Sequence, residues 1–403
     1  MLTKQARACS TFLVALFVLG VVVTGCNSSS STTTSSLDLD DWMSENNWSA
    51  VTEAEAEAFG KKLEQTLSSG DTFDFSNMLN LQGILRYSAN DIFSGKEMEG
   101  FVQGGMSAET ELLRQLSGNN SVKFLTTRPW ENGHGIMIRV LEGSGGCNFH
   151  HWYLAKDSNN KVICVDLYIY MAGQTLSETF RGLLLSSLPH IKPSMMDRLS
   201  GKSKTFAEQG ELLTEFFQLV KTGQGDRVEA SFKQLPAELQ KEKSIQLQRL
   251  VSLANVSDDS YMEAMEDYLA AFPNDPSCKL ISLDMLVMKE EFPKASQSLD
   301  DLIEMIGEDA HLYALKANIN KLDKKLDLAV TAARKAIAIE PDYKFTYWIL
   351  LEILIEQQDF AACAETVQKM SEQFQVTPEQ IVVDEDWMIP FVESKEYQQL
   401  LNR

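Results

Sequence analysis

Hydrophobic and polar positions follow two different periodicities along the 403-residue chain, and the change falls near residue 200. From Leu37 to about Ser200, helical patterns come first and alternating, strand-like patterns follow. From about Gly201 onward the apolar positions repeat only with helical spacing. The pattern therefore predicts an α+β domain followed by an all-α domain, and the length agrees with this division.

The first part of the chain predicts several helices and then an antiparallel sheet. Thr52 and the acidic residues after it mark a helix N-terminus, because carboxylates stabilise the first turn. Helices are predicted from Thr52 to about Leu67 and over Phe75–Tyr87, Ser94–Leu116 and Thr175–Leu188. Strands are predicted over Ser121–Thr127, Gly135–Leu141, Cys147–Lys156 and Lys161–Met171. Short turns between the strands imply a meander.

This order of helices followed by a long meander resembles the NTF2-like (cystatin-like α+β) fold. The resemblance covers about Ala50–Leu188 and rests on the order and length of the elements, without a diagnostic motif. It implies a curved antiparallel sheet wrapped around a long helix, with a cone-shaped pocket inside. We assign residues 50–190 to this domain.

The second part of the chain carries an internal period of 34 residues. Ala295, Ala329 and Cys363 are spaced by 34, and Pro273 and Pro341 by twice that distance with Gly307 midway. The unit Ala310–Pro341 resembles a tetratricopeptide (TPR) repeat, with Tyr313 at the aromatic position, Ala317, Ala329 and Ala336 at the small positions and a terminal proline. Lys316 and Asn320 depart from the motif, so the repeat is divergent, and a generic array of helical hairpins is the alternative.

Residues 201–403 are accordingly predicted to form a TPR-like helical solenoid. The next unit contains Tyr347, Leu350 and Leu351, and the segment from Asp386 to Leu401 resembles the helical cap that follows such arrays. Units before Pro273 are degenerate, although Phe216 and Val228 indicate further hairpins. Either reading gives an extended concave surface.

The N-terminus has the pattern of a secretory signal. Lys4 and Arg7 precede the apolar run Phe12–Val23, which is too short to span a bilayer. The run ends in Val23-Thr24-Gly25-Cys26, which resembles the lipobox of bacterial lipoproteins, although the usual leucine is valine here. The resemblance implies cleavage before Cys26 and a diacylglycerol on its thiol. A plain signal peptide that happens to contain a cysteine is the alternative.

We therefore assign residues 1–25 to a lipoprotein signal peptide and residues 26–49 to a lipidated tether. Ser28–Ser36 consists only of Ser and Thr, a composition typical of a flexible linker. An aspartate directly after the lipidated cysteine would resemble an inner-membrane retention signal, but this position is Asn27 here. The expected location is the bacterial cell envelope, at the outer membrane and facing the periplasm.

Acidic residues outnumber basic ones, with 57 Asp+Glu against 36 Lys+Arg and a net charge of −21. We therefore do not expect the protein to bind nucleic acid, because such binding needs clustered basic side chains. Most of the excess lies in residues 201–403, which hold 36 acidic and 21 basic residues. A solvated surface is the simpler reading, and selection of basic partner segments is the alternative.

The residues most open to a chemical role lie on the third and fourth strands. If Asp157–Asn160 is the turn, His151 lies opposite Asp166, and Tyr153 opposite Cys164. A nearby carboxylate would raise the pKa of His151, and with Tyr153 the pair could perform acid–base chemistry, as in isomerases of this superfamily. We favour a structural cross-strand pair over a catalytic or ligand-binding site.

Each of these strands has a second, more apolar face. Trp152, Leu154, Ile163, Val165, Leu167, Ile169 and Met171 share it and are expected to pack against the helices. The polar face then meets solvent, a dimer partner or the repeat domain. The same register argues against a disulfide between Cys147 and Cys164, which we expect to be buried as small apolar residues.

No catalytic, nucleotide-binding or metal-ligating motif is present in the sequence, so neither an enzyme nor a cofactor is predicted. The leading hypothesis is a membrane-anchored periplasmic lipoprotein that binds a protein or peptide in a TPR-like groove. The alternative is a small apolar ligand, or isomerase-type chemistry, in the NTF2-like cone. The oligomeric state is left open.

Overall fold

The first helix begins with a capping box, at the position that its acidic first turn predicts. In this computed structural model, Thr52 Oγ1 accepts the Glu55 N–H and the Glu55 carboxylate accepts the Thr52 N–H. The structure describes residues 48–118, 120–130, 133–142, 146–191, 199, 201–254, 256–381 and 386–402. The predicted signal peptide, Cys26 and almost all of the predicted tether lie outside these residues.

Five helices precede the sheet. They are α1 (Glu53–Ser69), α2 (Thr72–Met78), α3 (Leu81–Ser88), α4 (Gly95–Gly105) and α5 (Ala108–Ser117). Helix α1 lies on the first two strands, and it approaches the sheet closely at Gly60. A Cβ at this position would lie 2.3 Å from the Phe124 ring, so the packing requires glycine. The predicted helix starting at Thr52 is confirmed, and the predicted segments Phe75–Tyr87 and Ser94–Leu116 are each divided into two helices.

The sheet is an antiparallel meander with the strand order β1-β2-β3-β4-β5. Its strands are β1 (Ser121–Trp130), β2 (Gly133–Leu141), β3 (Cys147–Lys156), β4 (Val162–Ile169) and β5 (Gln174–Thr175). Helix α6 (Leu176–Ile191) follows directly. The four predicted strands and the meander are confirmed, and β5 is an addition that the sequence pattern did not predict.

The described remainder of the chain has only helices as regular structure. These are α7 (Gly201–Glu208), α8 (Gly210–Lys221), α9 (Gly225–Phe232), α10 (Ala237–Gln240), α11 (Lys243–Leu253), α12 (Asp258–Ala271), α13 (Ser277–Met288), α14 (Phe292–Ile306), α15 (Ala310–Leu322), α16 (Leu326–Ile339), α17 (Lys344–Glu356), α18 (Phe360–Phe374), α19 (Pro378–Ile381), a 3₁₀ turn (Asp386–Met388), α20 (Ile389–Val392) and α21 (Lys395–Leu401).

Ten of these helices form five hairpins with one spacing. The first helices begin at Gly210, Lys243, Ser277, Ala310 and Lys344, and the second helices at Gly225, Asp258, Phe292, Leu326 and Phe360. Successive starts are thus 33 or 34 residues apart. The 34-residue period is confirmed, and it extends over two hairpins that the sequence pattern only indicated.

The turns inside the last three hairpins repeat the same backbone geometry. Glu290, Lys324 and Gln358 are each 34 residues apart, and each has a left-handed φ between 56° and 60°. The following N–H groups bond back to the carbonyls of Leu286, Asn320 and Leu354, as in a Schellman motif. Pro273, Gly307 and Pro341 follow the second helices of three successive hairpins within two residues, as their spacing predicts.

The chain divides into two compact units, Met1–Ile281 and Ser282–Arg403. This division falls inside α13 and therefore later than the predicted boundary between residues 190 and 201. One apolar core in the first unit includes Leu63 of α1, Trp152 of β3, Phe216 of α8 and Val228 of α9. The first hairpin is thus built into the same core as the sheet.

Candidate functional site

The register between β3 and β4 differs from the predicted one. Asp157 N–H bonds to the Lys161 carbonyl, with Asn160 left-handed (φ 64°), so Lys156 pairs with Val162. A β-bulge between Tyr153 and Leu154 adds a further shift. As a result His151 lies opposite Tyr168, and Tyr153 opposite Asp166. The predicted pairs His151–Asp166 and Tyr153–Cys164 are therefore wrong.

Asp166 caps a helix instead of pairing with a histidine. Its carboxylate accepts the Ser177 hydroxyl at 2.5 Å, the Ser177 N–H at 3.2 Å and the Leu167 N–H at 2.8 Å. Ser177 lies in the first turn of α6, whose dipole favours a negative charge. Burial raises the pKa of Asp166 to about 7, although the hydrogen bonds from Ser177 and Leu167 oppose the shift.

His151 lies in an environment that disfavours its charged form. Burial, together with the smaller effect of the positive charge of Arg128, lowers its pKa to about 4. The expectation that a carboxylate raises this pKa is wrong. The His151 ring contacts the Tyr153 ring edge-on at 4.7 Å, and Tyr153 in turn contacts Trp130 at 5.2 Å. The histidine is thus neutral at pH 7 and part of an aromatic cluster.

The interior of the α+β part is filled by side chains of β3. Trp152 and Leu154 are fully buried, and the Trp152 ring meets Phe75 of α2 edge-on at 6.4 Å. Leu167 and Ile169 belong to the same core, as the apolar face predicts. Ile163 and Val165 do not, because the bulge moves them to a separate cluster with Tyr153. Part of the predicted stripe is therefore wrong.

The polar face of β4 meets the helical part of the first unit. The Tyr168 hydroxyl donates to Asp275 Oδ1 at 2.7 Å, and Lys243 Nζ donates to Asp275 Oδ2 at 2.6 Å. Ser277 donates to Asp275 from both its N–H and its hydroxyl. The sequence left solvent, a dimer partner and the repeat domain open as surroundings of this face. At Tyr168 the structure shows the helical array.

This network favours a charged Asp275 and a neutral Tyr168. Burial alone would raise the pKa of Asp275, but the hydrogen bonds from Lys243, Ser277 and Tyr168 outweigh it and lower the pKa. Burial and the Asp275 carboxylate raise the pKa of Tyr168 far above its ordinary value. The arrangement is suited to holding two elements together rather than to transferring a proton.

The last two full hairpins, α15–α16 and α17–α18, bring their first helices together. Helices α15 and α17 contact each other directly, whereas α16 and α18 share no comparable contact. The Lys321–Glu352 ion pair and the stacked rings of His311 and Phe345, 6.1 Å apart, join α15 to α17. Because elements on the inside of a curve lie closer together, α15 and α17 line the concave side of this part of the array.

The small side chains of the predicted repeat allow this close packing. Ala317, Ala329 and Ala336 are fully buried, as are Ala295 and Cys363 at equivalent positions. Tyr313 is half-buried and donates to Glu308 at 3.3 Å. The two residues that depart from the motif are accommodated locally. Lys316 forms an ion pair with Asp300, and Asn320 is buried.

Other candidate chemistry is limited in the described residues. Cys147, Cys164, Cys278 and Cys363 are buried free thiols, in agreement with the expected burial of the first two. In residues 48–402, apart from the gaps given above, no His, Cys, Asp and Glu side chains cluster as a metal site. Within the same residues, no helix combines the length and apolar character that a membrane span needs.

Comparison with known proteins finds similarity to solved structures over only part of the chain. No family model and no curated protein matches the sequence. The chain is similar to MamA. The matching structures include MamA 41-end from Desulfovibrio magneticus RS-1 and the MamA RS-1 ArsTM double mutant. Each is 18% identical, with a TM-score of 0.36, and the match covers 41% of this chain and 93% of the MamA chain.

Proposed function

We propose that this protein is a lipid-anchored scaffold of the bacterial cell envelope that binds a protein or peptide segment along its hairpin array. The observation that carries the proposal is the series of five hairpins at 33- or 34-residue intervals, whose last three turns share a left-handed residue and the same backbone hydrogen bond. Within the second unit, the hairpins α15–α16 and α17–α18 offer a surface lined by α15 and α17. The divergent TPR assignment belongs to the same proposal.

The concave side of the last hairpins offers a suitable surface. Trp348 and Phe345 are half-buried on α17, and Glu352 lies on the same helix. Aromatic side chains are frequent anchors of protein interfaces, and the acidic excess of residues 201–403 favours basic segments. A partner segment with basic residues flanking an apolar anchor fits this chemistry.

The α+β part is proposed to be an NTF2-like domain that supplies structure rather than a ligand pocket. Trp152 and Leu154 occupy the interior where a small apolar molecule would bind. We propose a structural role for His151, Asp166 and Tyr153. His151 is neutral at pH 7, and Asp166 caps α6. Enzymatic activity is not part of the proposal.

The anchor is tested on the intact chain in a bacterial host. Mass spectrometry of the membrane fraction is expected to find a diacylglyceryl group on an N-terminal Cys26. Cys26→Ala is expected to block both lipidation and cleavage before residue 26, so that the unprocessed precursor accumulates. An unmodified Cys26, or normal cleavage of the alanine variant, would contradict the anchor without affecting the array.

The binding surface is tested with a photo-crosslinking amino acid placed in the same full-length chain. At Trp348, on the concave helix α17, a crosslink to one discrete partner is expected. Arg334 is exposed on α16 and serves as the matched control on the other helix of a neighbouring hairpin. Crosslinking to the same partner with equal yield at both positions would contradict the assignment of the concave surface.

A further inference from the structure

The chain enters the described structure on the outer face of the sheet, which faces away from the apolar core. Ser49 exchanges two backbone hydrogen bonds with Lys156 of β3, at 3.1 and 2.9 Å. Trp48 packs against a small cluster on this face that also includes Trp130 and Tyr153. The residues that precede Trp48 in the sequence therefore begin beside this cluster.

Trp130, His151 and Tyr153 form an outer aromatic surface on this face, and each of them is partly exposed. Trp130 of β1 reaches Tyr153 of β3 across β2, where Gly135 carries no side chain. A Cβ at Gly135 would lie 2.4 Å from the Trp152 carbonyl oxygen and 2.9 Å from His151 Nε2, so the close packing requires glycine. Helices α1 and α5, which contact β1, belong to the core on the other face of the sheet.

Arg128 of β1 brings a positive charge to the outer aromatic surface. Its charge adds to the effect of burial in lowering the pKa of His151, so it acts directly on this surface. The Trp130 ring N–H is buried without a hydrogen-bond partner among the described residues, and such a donor calls for an acceptor. Aromatic rings, a guanidinium and an N–H donor together suit a segment that carries an apolar anchor and carboxylates.

Residues 37–47, which lie outside the described residues, have this composition. Their sequence is Leu-Asp-Leu-Asp-Asp-Trp-Met-Ser-Glu-Asn-Asn. The stretch contains four carboxylates and no basic residue, and Trp42 and Met43 are the largest apolar side chains next to one another in it. It differs in both respects from Ser28–Ser36, which has neither charges nor large apolar side chains.

We propose that residues 37–47 dock on the outer aromatic surface, with Trp42 against Trp130 and Tyr153 and the carboxylates toward Arg128. The charges of segment and surface are complementary, and the anchor is of the aromatic kind that the surface itself presents. Because the segment is covalently joined to the strand-bound residues that follow it, its effective concentration at the surface is high, and weak contacts are sufficient for docking.

The length of the segment permits this contact. Trp42 lies six residues before Trp48, and an extended chain of this length spans about 20 Å. His151, at the far end of the outer aromatic surface, lies five residues from Lys156 along β3, or about 17 Å. Docking leaves residues 26–36 as the free part of the predicted tether, with a reach of at most about 40 Å. This last consequence rests on the proposed lipid anchor, whereas the docking does not.

A photo-crosslinking amino acid in place of Met43, in the full-length protein, tests the docking. We expect a crosslink within one chain, at the mass of the monomer, to peptides that contain Trp130 or Tyr153. The same amino acid in place of Ser31 is the control in the Ser/Thr stretch, and we expect no crosslink to these peptides from it. The crosslink can be measured in whichever cell fraction holds the protein, so failure of the lipid anchor would not affect this test.

Variants of the segment test the anchor and the charges without touching the described fold. Trp42→Ala, and Asp40→Lys combined with Asp41→Lys, are each expected to lower the crosslink yield roughly tenfold, the factor typical of losing an interface anchor. Unchanged yield in both variants would overturn the proposal. So would crosslinks spread over the whole surface, or crosslinks at the mass of a dimer, because the latter would show that a second copy occupies the surface.

A variant of the surface gives the complementary measurement. Arg128→Gln is expected to lower the crosslink yield from position 43, because it removes the charge that faces the carboxylates. Arg227→Gln removes the same charge from an exposed position on α9 and is expected to leave the yield unchanged. Equal losses in the two arginine variants would show an effect of net charge alone and would overturn the docking on this surface.

Discussion

Ser177 donates its hydroxyl hydrogen to Oδ2 of Asp166 at 2.5 Å, and both side chains are buried where β4 meets the start of α6. The contact explains why a carboxylate lies inside the sheet: it caps the helix that closes the α+β part. The buried carboxylate also makes folding depend on pH, because its pKa is raised to about 7 by burial.

The stability due to Asp166 is expected to be lost as the pH rises. Its pKa is about 4 in the unfolded chain and about 7 in the folded one, so its contribution is complete below pH 4 and disappears above pH 7. Urea denaturation at pH 5 and pH 8 is expected to show this loss, on the order of 3 kcal/mol, in wild type but not in Asp166→Asn. Glu211→Gln, which removes an exposed carboxylate on α8, is the control. An identical pH dependence in wild type and the asparagine variant would contradict the buried-cap interpretation.

His151 is expected to act in the opposite direction. Because its pKa falls from its ordinary 6.5 to about 4 on folding, its contribution is complete above pH 6.5 and is lost as the pH falls through 4. His151→Gln removes this acid-induced loss, which is on the order of 3 kcal/mol. NMR titration of the imidazole gives the second readout, with a midpoint near 4. An imidazole midpoint above 6.5 would contradict the lowered pKa and would instead support the predicted interaction of His151 with a carboxylate.

Trp152 is expected to be a major contributor to the core of the first unit. Trp152→Ala should lower the free energy of unfolding by about 3–5 kcal/mol, whereas Trp130→Ala, at a half-buried position, should cost less. Indole added to Trp152→Ala tests whether the interior accepts a small apolar ligand once the side chain is removed. Equal losses for the two alanine variants would contradict the packed interior.

The left-handed turn at Gln358 offers a test of the hairpin geometry. Its φ of 60° strains a residue with a side chain, so Gln358→Gly should raise the free energy of unfolding by about 0.5–1 kcal/mol. Gln357 has a φ of −73° and serves as the neighbouring control. Gln357→Gly should destabilise the protein by a similar amount, because glycine gains freedom in the unfolded chain. Destabilisation by both glycines would show that Gln358 is not left-handed in solution.

Local chemistry made the elements predictable. Thr52 and Glu55 mark the start of α1, and Asn, Gly and Asp residues mark the ends of the strands, because these residues favour caps and turns. Ala295 and Ala329 made the 34-residue period visible, because close helix packing at these positions requires small side chains.

Register and the early hairpins were harder to predict because they depend on tertiary context. The bulge next to Asp166 shifts the pairing of β4, and no single residue type specifies it. The first two hairpins carry Val228 and Tyr261 near the position of Ala329, so the small-residue signal is lost there. The helix starts at Gly210 and Lys243 nevertheless keep the spacing.

Binding of a protein segment on the side of the second unit that α15 and α17 line is tested most directly by its affinity. The partner segment recovered by crosslinking at Trp348 can be synthesised and its affinity for the full-length protein measured by calorimetry, with Trp348→Ala and Arg334→Ala as variants. We predict at least a tenfold loss of affinity for the Trp348 variant, the effect typical of an interface anchor, and no change for the Arg334 variant. Equal affinity in wild type and both variants would contradict the account.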